Sequence, residues 1–206
     1  MRKILVLLLM TALVCSAAQA TIITNVVRLG SSGNTPPEIS ATPLAEDALS
    51  FVDRTHEYNN LPVEALGAEY IKVANNDKTV ADYGLEVTIS QPALLALFID
   101  NRVGGTAGDG DWAGVDPDPA AAGMNWVADM GFNDTGLDIG IDEGGDGSID
   151  KYSSIYVLEV GPGVYTLGAQ NDGGGRNMYG VAAVVPEPIT IMLMGFGAFG
   201  VLRRRK

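Results

Sequence analysis

YGLEVTISQPALLALFIDNRV, residues 83–103, contains two kinds of strand in succession. In the first, Leu85, Val87 and Ile89 alternate with Glu86, Thr88 and Ser90, the period of two that sends apolar side chains to one face and polar ones to the other. The second, ALLALFID at 93–100, is apolar on both faces, a pattern suited to a central strand covered on two sides. Pro92 lies between them as a turn residue. A half-buried strand beside a fully buried one calls for more than one layer.

Outward from this pair, further segments alternate or run apolar in strand-sized lengths: TIITNVVR at 21–28, GAEYIKVAN at 67–75, NWVADMGF at 125–132, SSIYVLEV at 153–160, GVYTLGAQ at 163–170 and MYGVAAVV at 178–185. Gly161-Pro162-Gly163 predicts a tight hairpin, NDGGGRN at 171–177 a long hairpin turn, and SSGNTPP at 31–37 a flexible connection. PLAEDALSFVDR at 43–54 reads as a short helix, with a strand as the near alternative, because Leu44, Leu49 and Val52 share a helical face only loosely. About eight short strands with glycine-rich connections predict an all-β fold, a single β-sandwich or jelly roll.

The ends of the chain are not part of that fold. MRKILVLLLMTALVCSAAQA has a basic start at Arg2 and Lys3, an apolar run from Ile4 to Val14 and small residues up to Ala20, the form of a secretory signal peptide cut after Ala20. Cys15 is the sole cysteine, and Ala12-Leu13-Val14 before it fits lipoprotein processing badly. Cleavage therefore leaves a body without disulfides or thiolate chemistry.

At the other end, Pro186-Glu187-Pro188 precedes an apolar run from Ile189 to Leu202 and the basic tail Arg203-Arg204-Arg205-Lys206. As a helix the run rises about 21 Å, against a hydrocarbon core of roughly 30 Å. It makes a short transmembrane helix, with its basic end held in the cytoplasm and the body outside the inner membrane. The reading divides the chain into a signal peptide at 1–20, an acidic β-sandwich domain at 21–184 and a sorting signal at 185–206.

The order of motif, short span and terminal basic cluster resembles the PEP-CTERM sorting signal of exported bacterial proteins. The resemblance implies processing by an exosortase, a membrane transpeptidase, with Pro186, Glu187 and Pro188 as recognition residues of a substrate. Signal peptidase would be the second processing enzyme. The inner membrane would be a transient partner, and the cell surface or extracellular matrix the destination.

Between the signals, 24 acidic residues (all 25 but Glu187) face 7 basic ones (the 13 less the six in the terminal clusters), a formal charge of −17. So acidic a body excludes nucleic-acid backbones and anionic lipid as partners, and suits cations and polar neutral glycans such as polysaccharide. From Asp100 to Asp150 the imbalance is 12 acidic residues to the single Arg102.

Within that stretch DIGIDEGGDGSID, 138–150, spaces carboxylates as a calcium loop does, because a hard cation takes six to eight oxygens. Asp142 falls at the first position, Asp146 at the fifth, Gly147 at the sixth, Ser148 at the seventh and Asp150 at the ninth. Asp138 or Glu143 would make good the breaks in the frame at Gly144 and Ser153. The alternative is a polar glycine-rich loop that needs no metal. Trp112, in the acidic run GDGDWAGVDPDP at 108–119, is the candidate platform for stacking a sugar, whereas Trp126 reads as core.

Residues 83–183 also resemble non-catalytic, galactose-binding-like β-sandwich modules, through Asp100, Arg102, Trp126, Gly131, Phe132, Thr135 and Gly136. That resemblance carries no catalytic residue. His56 is the sole histidine and is expected on a polar surface near Arg54 and Glu57, which leaves zinc sites and Ser-His-Asp relays unsupported. The sequence thus predicts a non-enzymatic exported surface or matrix protein, with a calcium-assisted carbohydrate-binding module as the alternative.

Overall fold

The computed structural model describes residues 21–105, 112–172 and 174–185. The expected signal peptide, the Pro186-Glu187-Pro188 motif and the C-terminal span lie outside the described residues. Among the described residues no helix is long and apolar enough to cross a membrane.

The fold is nearly all β. In chain order the strands are β1 (Ile23–Leu29), β2 (Glu38–Ile39), β3 (Ala48–Leu49), β4 (Glu57–Asn59), β5 (Glu69–Lys72), β6 (Gly84–Ile89), β7 (Ala93–Asp100), β8 (Asn133–Asp142), β9 (Lys151–Val160), β10 (Gly163–Leu167) and β11 (Gly180–Val184). A three-stranded sheet has the order β1-β6-β10, and an eight-stranded sheet the order β2-β5-β11-β7-β9-β8-β4-β3. All of these named pairs are antiparallel.

The opening segment supplies one strand to each sheet. Leu85, Val87 and Ile89 of β6 are buried against the large sheet, as their alternation requires. On β7, Leu95, Leu97 and Ile99 enter that same core between the sheets, while Ala96 and Phe98 enter a second core on the opposite face. Both faces of β7 are covered, which accounts for its unbroken apolar run.

The second core exists because the large sheet curls. Tyr58 on β4 meets Phe98 on β7 and Tyr70 on β5 edge to face, at centroid distances of 5.5 and 6.1 Å. Phe51, just after β3, forms a parallel bridge to Val73, just after β5, and the Val52 N–H donates to the Val73 carbonyl. A strand from one edge of the sheet thereby reaches the region of the other.

Several expectations are corrected. Gly161-Pro162-Gly163 does not close a hairpin. Val160 pairs with Ala93 in the large sheet, whereas Gly163 pairs with Ile89 in the small one. The ribbons β6–β7 and β9–β10 therefore bend together from one sheet into the other, a corner of the kind that sandwiches make with bends. Nor is 171–177 a hairpin turn, since β10 lies in the small sheet and β11 in the large one.

NWVADMGF is not a strand: Trp126–Met130 is a single helical turn, α1. Gly131, at φ 89°, takes the left-handed conformation that ends it. The N–H groups of Gly131 and Phe132 donate to the carbonyls of Ala128 and Val127, a Schellman closure. The 43–54 segment forms β3 and the Phe51 bridge, with no helix. SSGNTPP is held down, because Arg28 donates to the carbonyls of Ser32, Asn34 and Thr35 and to buried Asp77.

Candidate functional site

At the end of β7 the chain turns sharply and gathers polar groups from five distant segments. The buried Asp100 carboxylate accepts from Arg102 Nε at 2.8 Å, from the Arg102 backbone N–H at 2.9 Å and from the Asn177 backbone N–H at 2.7 Å. It also accepts from Arg102 Nη2, closing a bidentate pair. Burial works against the Arg102 charge, yet the Asp100 hydrogen bonds and the Asp100 and Glu143 charges raise its pKa above the ordinary guanidinium value.

From this pair the network spreads. Asn177 Nδ2 donates to Glu143 Oε1 at 2.9 Å, and Asn75 Nδ2 donates to Asn177 Oδ1 at 3.2 Å. Asn75 Oδ1 accepts from the Met178 N–H, and Asp53 accepts from the N–H groups of Asn75 and Asn76. Gln170 is wholly buried and spans the 170–179 crossover, donating to the Asn177 carbonyl and accepting from the Tyr179 N–H. Arg176 donates to the carbonyls of Arg102 and Gly105 and pairs with Asp172. The segment expected as a long hairpin turn is thus a strap stitched by polar contacts to the end of β7.

The same end draws in His56, Arg54 and Lys78. His56 is half-buried rather than on a polar surface. Its ring stands edge-on to Phe51 at 5.8 Å, and Nδ1 has no hydrogen-bond partner among the described residues. Burial lowers its pKa, Glu143 opposes that shift, and the Arg54 and Lys78 charges add to it. The Lys78 ammonium is likewise pushed down, first by burial and then by Arg54 and Arg102.

The stretch read as a calcium loop folds as the β8–β9 hairpin with carboxylate caps. Asp142 is fully buried and accepts from the N–H groups of Gly144, Gly145 and Gly147 at 2.8, 2.6 and 2.6 Å. Asp150 accepts from the Glu143 N–H, and Asp146 from the N–H and hydroxyl of Ser148. Asp138 points elsewhere, accepting from Asn101 Nδ2 at 3.3 Å with Ser154 Oγ at 3.0 Å. Among the described residues no group of three or more acidic, histidine or cysteine side chains is placed to hold a metal ion.

Trp112 is half-buried, with its ring over Gly105, and its carbonyl accepts from Asn101. Trp126 packs into the core beside Tyr179 and Phe132 and donates its indole N–H to the Ala169 carbonyl. Thr135 and Gly136 lie in an irregular part of β8, where four residue steps from Asp134 to Asp138 oppose two from Tyr156 to Ser154. The Gly136 N–H donates to Asp134, and the Leu137 N–H to the Thr135 hydroxyl.

A more open feature lies between α1, the 117–120 segment and β9. Phe132 and Tyr156 flank a cleft of about 360 Å3 that also presents Asp118, Asn125, Pro117 and Pro119. The Tyr156 phenol is pushed up to about 12 by burial and by the nearby charges of Asp134, Asp116 and Asp118, so it remains a hydroxyl donor at neutral pH. Sequence reasoning singled out Asp100, Arg102 and Phe132, named Glu143 only as a candidate calcium ligand, and missed Asn75, Asn177, Gln170 and Tyr156. Tyr156 looked like one more strand residue, and the amides are too far apart in sequence to form a motif.

No curated protein and no solved structure matches the chain. Residues 184–206 match the family model of the PEP-CTERM protein-sorting motif, beginning at the last residue of β11, so the chain carries the sorting signal of an exported, membrane-anchored precursor processed by an exosortase.

Proposed function

We infer that the chain is a non-enzymatic surface or extracellular-matrix protein, a β-sandwich body carried to the outer side of the inner membrane and then released or handed on at Pro186-Glu187-Pro188. The observation that carries this reading is the sorting motif at 184–206, directly joined to the final strand of the body. The site chemistry supports it. Asp100, Arg102, Asp142 and Asp77 are buried and spent on structural hydrogen bonds, where catalysis would need groups exposed to a substrate.

In a host with an exosortase, Glu187→Ala is expected to leave the precursor in the inner-membrane fraction, while the parent chain reaches the medium or the matrix. Release of the variant at the parent rate would leave the apolar run as a simple tail anchor.

A second reading, a carbohydrate-binding module, is favoured by the Phe132–Tyr156 cleft. The half-buried Tyr156 ring offers a face to the C–H face of a sugar, with buried Phe132 as the floor of the cleft, and the exposed Asp118 carboxylate and Asn125 amide can take sugar hydroxyls. A glycan array with the parent chain and with Tyr156→Ala, each with and without a calcium chelator, tests it. Binding lost in the variant assigns the cleft, and dependence on the chelator gives calcium a role in it. Absence of binding under every condition removes the module reading.

A further inference from the structure

The concave face of the curled sheet is filled by Tyr58 and Phe98 towards the β7 C-terminus, but near the start of β7 it opens into a pocket of about 160 Å3. The lining is almost wholly hydrocarbon: buried Ala96, Phe98 and Ala182, with half-buried Leu94, Leu137 and Val184. Among the described residues its only polar side chains are exposed Glu64 and Thr135. Alanines at facing positions leave the space. An apolar cavity of roughly 150 Å3 stays dry and accepts a hydrocarbon group about the size of one benzene ring. A sugar would find almost no partners for its hydroxyls there.

Two further features point outward at the same place. The loop that contributes Glu64 and Ala65 to the lining also carries Val63, 75 % exposed, and Leu66, 45 % exposed. Val184 lines the pocket and is the last residue of β11, so the sorting signal begins at the pocket itself. Only Pro186-Glu187-Pro188 separates Val185 from the apolar run that starts at Ile189. Four residue steps span at most about 14 Å. If that run is in the bilayer, the pocket is tethered within reach of the lipid surface.

We propose that this end of the body is a lipid-docking surface of the anchored precursor: Val63 and Leu66 enter the headgroup boundary and the pocket takes a hydrocarbon group from an acyl chain. The proposal rests on the anchored-precursor reading above. The partner is uncharged lipid, because a body of formal charge −17 is repelled by anionic headgroups and gains from apolar insertion alone. Docking would hold the body at a fixed height and end when the sorting signal is cut.

The test uses precursor purified from the inner membrane of a host without exosortase, reconstituted in phosphatidylcholine vesicles with brominated acyl chains. Trp112 and Trp126 lie on other parts of the body, so the parent chain is expected to keep its emission. Val63→Trp, a change at an exposed position, adds a tryptophan expected to lose roughly half its emission at the insertion depth of interfacial side chains. Val63→Asp combined with Leu66→Trp should abolish that loss, since the charge opposes entry.

Precursor that floats with the vesicles while the Val63→Trp emission stays unquenched overturns docking and leaves the anchor intact. Failure to recover the chain in the membrane fraction removes the anchor, and docking with it.

Discussion

Replacing Asp100 by Ala tests whether the network at the end of β7 holds the two halves of the large sheet together. Asp100 is 1 % exposed and accepts two bonds from the Arg102 side chain and one each from the backbone N–H groups of Arg102 and Asn177. The alanine leaves a buried guanidinium whose remaining carboxylate, Glu143, stands 3.7 Å away. It also leaves two N–H groups without their acceptor.

Removing one partner of a buried pair costs about 3–5 kcal/mol, a large share of the 5–15 kcal/mol typical of a domain. Arg102→Met keeps the apolar stem and leaves Asp100 with two backbone donors, so it should cost less, about 2 kcal/mol. The double variant removes the charge and its partner together. It should therefore fall short of the sum of the singles by about 2 kcal/mol, the coupling expected of residues in one network. Urea unfolding with unchanged m-values is the assay. A loss below about 1 kcal/mol for Asp100→Ala, or additive singles, would falsify the account of the network as a structural strut.

The curl of the large sheet is tested at Gly180, where an added Cβ would lie 2.3 Å from Tyr58 Oη and 2.9 Å from the Phe98 ring. Gly180→Ala should cost about 1–3 kcal/mol by overpacking, and a neutral result in thermal unfolding would place Tyr58 elsewhere. Because His56 has a lowered folded-state pKa, the unfolded chain binds more protons between that value and 6.5. This contribution to stability is therefore full above about 6.5 and declines as pH falls below it. His56→Asn should flatten that acid limb in unfolding curves measured from pH 7 to pH 5, whereas an unchanged slope would assign the limb to carboxylates. Calcium titrated calorimetrically into the chain should give no stoichiometric heat, since Asp142 is committed to three glycine N–H groups. A heat that disappears in Asp146→Asn would assign the metal loop.

The strands written in their own residues were legible: β6 and β7 end within a residue of the alternation and the apolar run that announce them. What failed is partner choice. Gly161-Pro162-Gly163 has the composition of a hairpin turn, yet composition cannot tell a chain that folds back on its neighbour from one that bends into the facing sheet with its partner strand alongside. Helix α1 was hidden because Trp126, Met130 and Phe132 satisfy a period of two as well as a single turn, and Gly131 was the one sign of its C-terminus. The calcium frame poses a similar choice at a finer scale. Closely spaced carboxylates and glycines serve a cation or a set of backbone N–H groups equally well. Which one they serve depends on whether the oxygens converge on a common point or turn back on their own hairpin, and spacing along the chain does not determine that.

The polar network and the sorting signal stand at opposite ends of the same strands, and this separation bears on how the body is presented. β7 runs from Ala93, beside the apolar pocket, to Asp100, in the network, while β11 runs antiparallel from Gly180 to Val184. Eight residues of strand separate the two ends by about 24 Å. Arg54, Lys78, Arg102, Arg176 and His56 all collect at the Asp100 end, although the body has only seven basic residues. A precursor held by the residues after Val185 would therefore turn its hydrocarbon end to the bilayer and its charged end away from it. Cutting the signal would free the apolar end without disturbing the network, because among the described residues no hydrogen bond of the network involves a residue beyond Met178 except the Tyr179 N–H. The stability of the body should then be the same before and after processing, and a shift in the urea midpoint between the chain ending at Val185 and the detergent-solubilised precursor would show that the two ends are coupled.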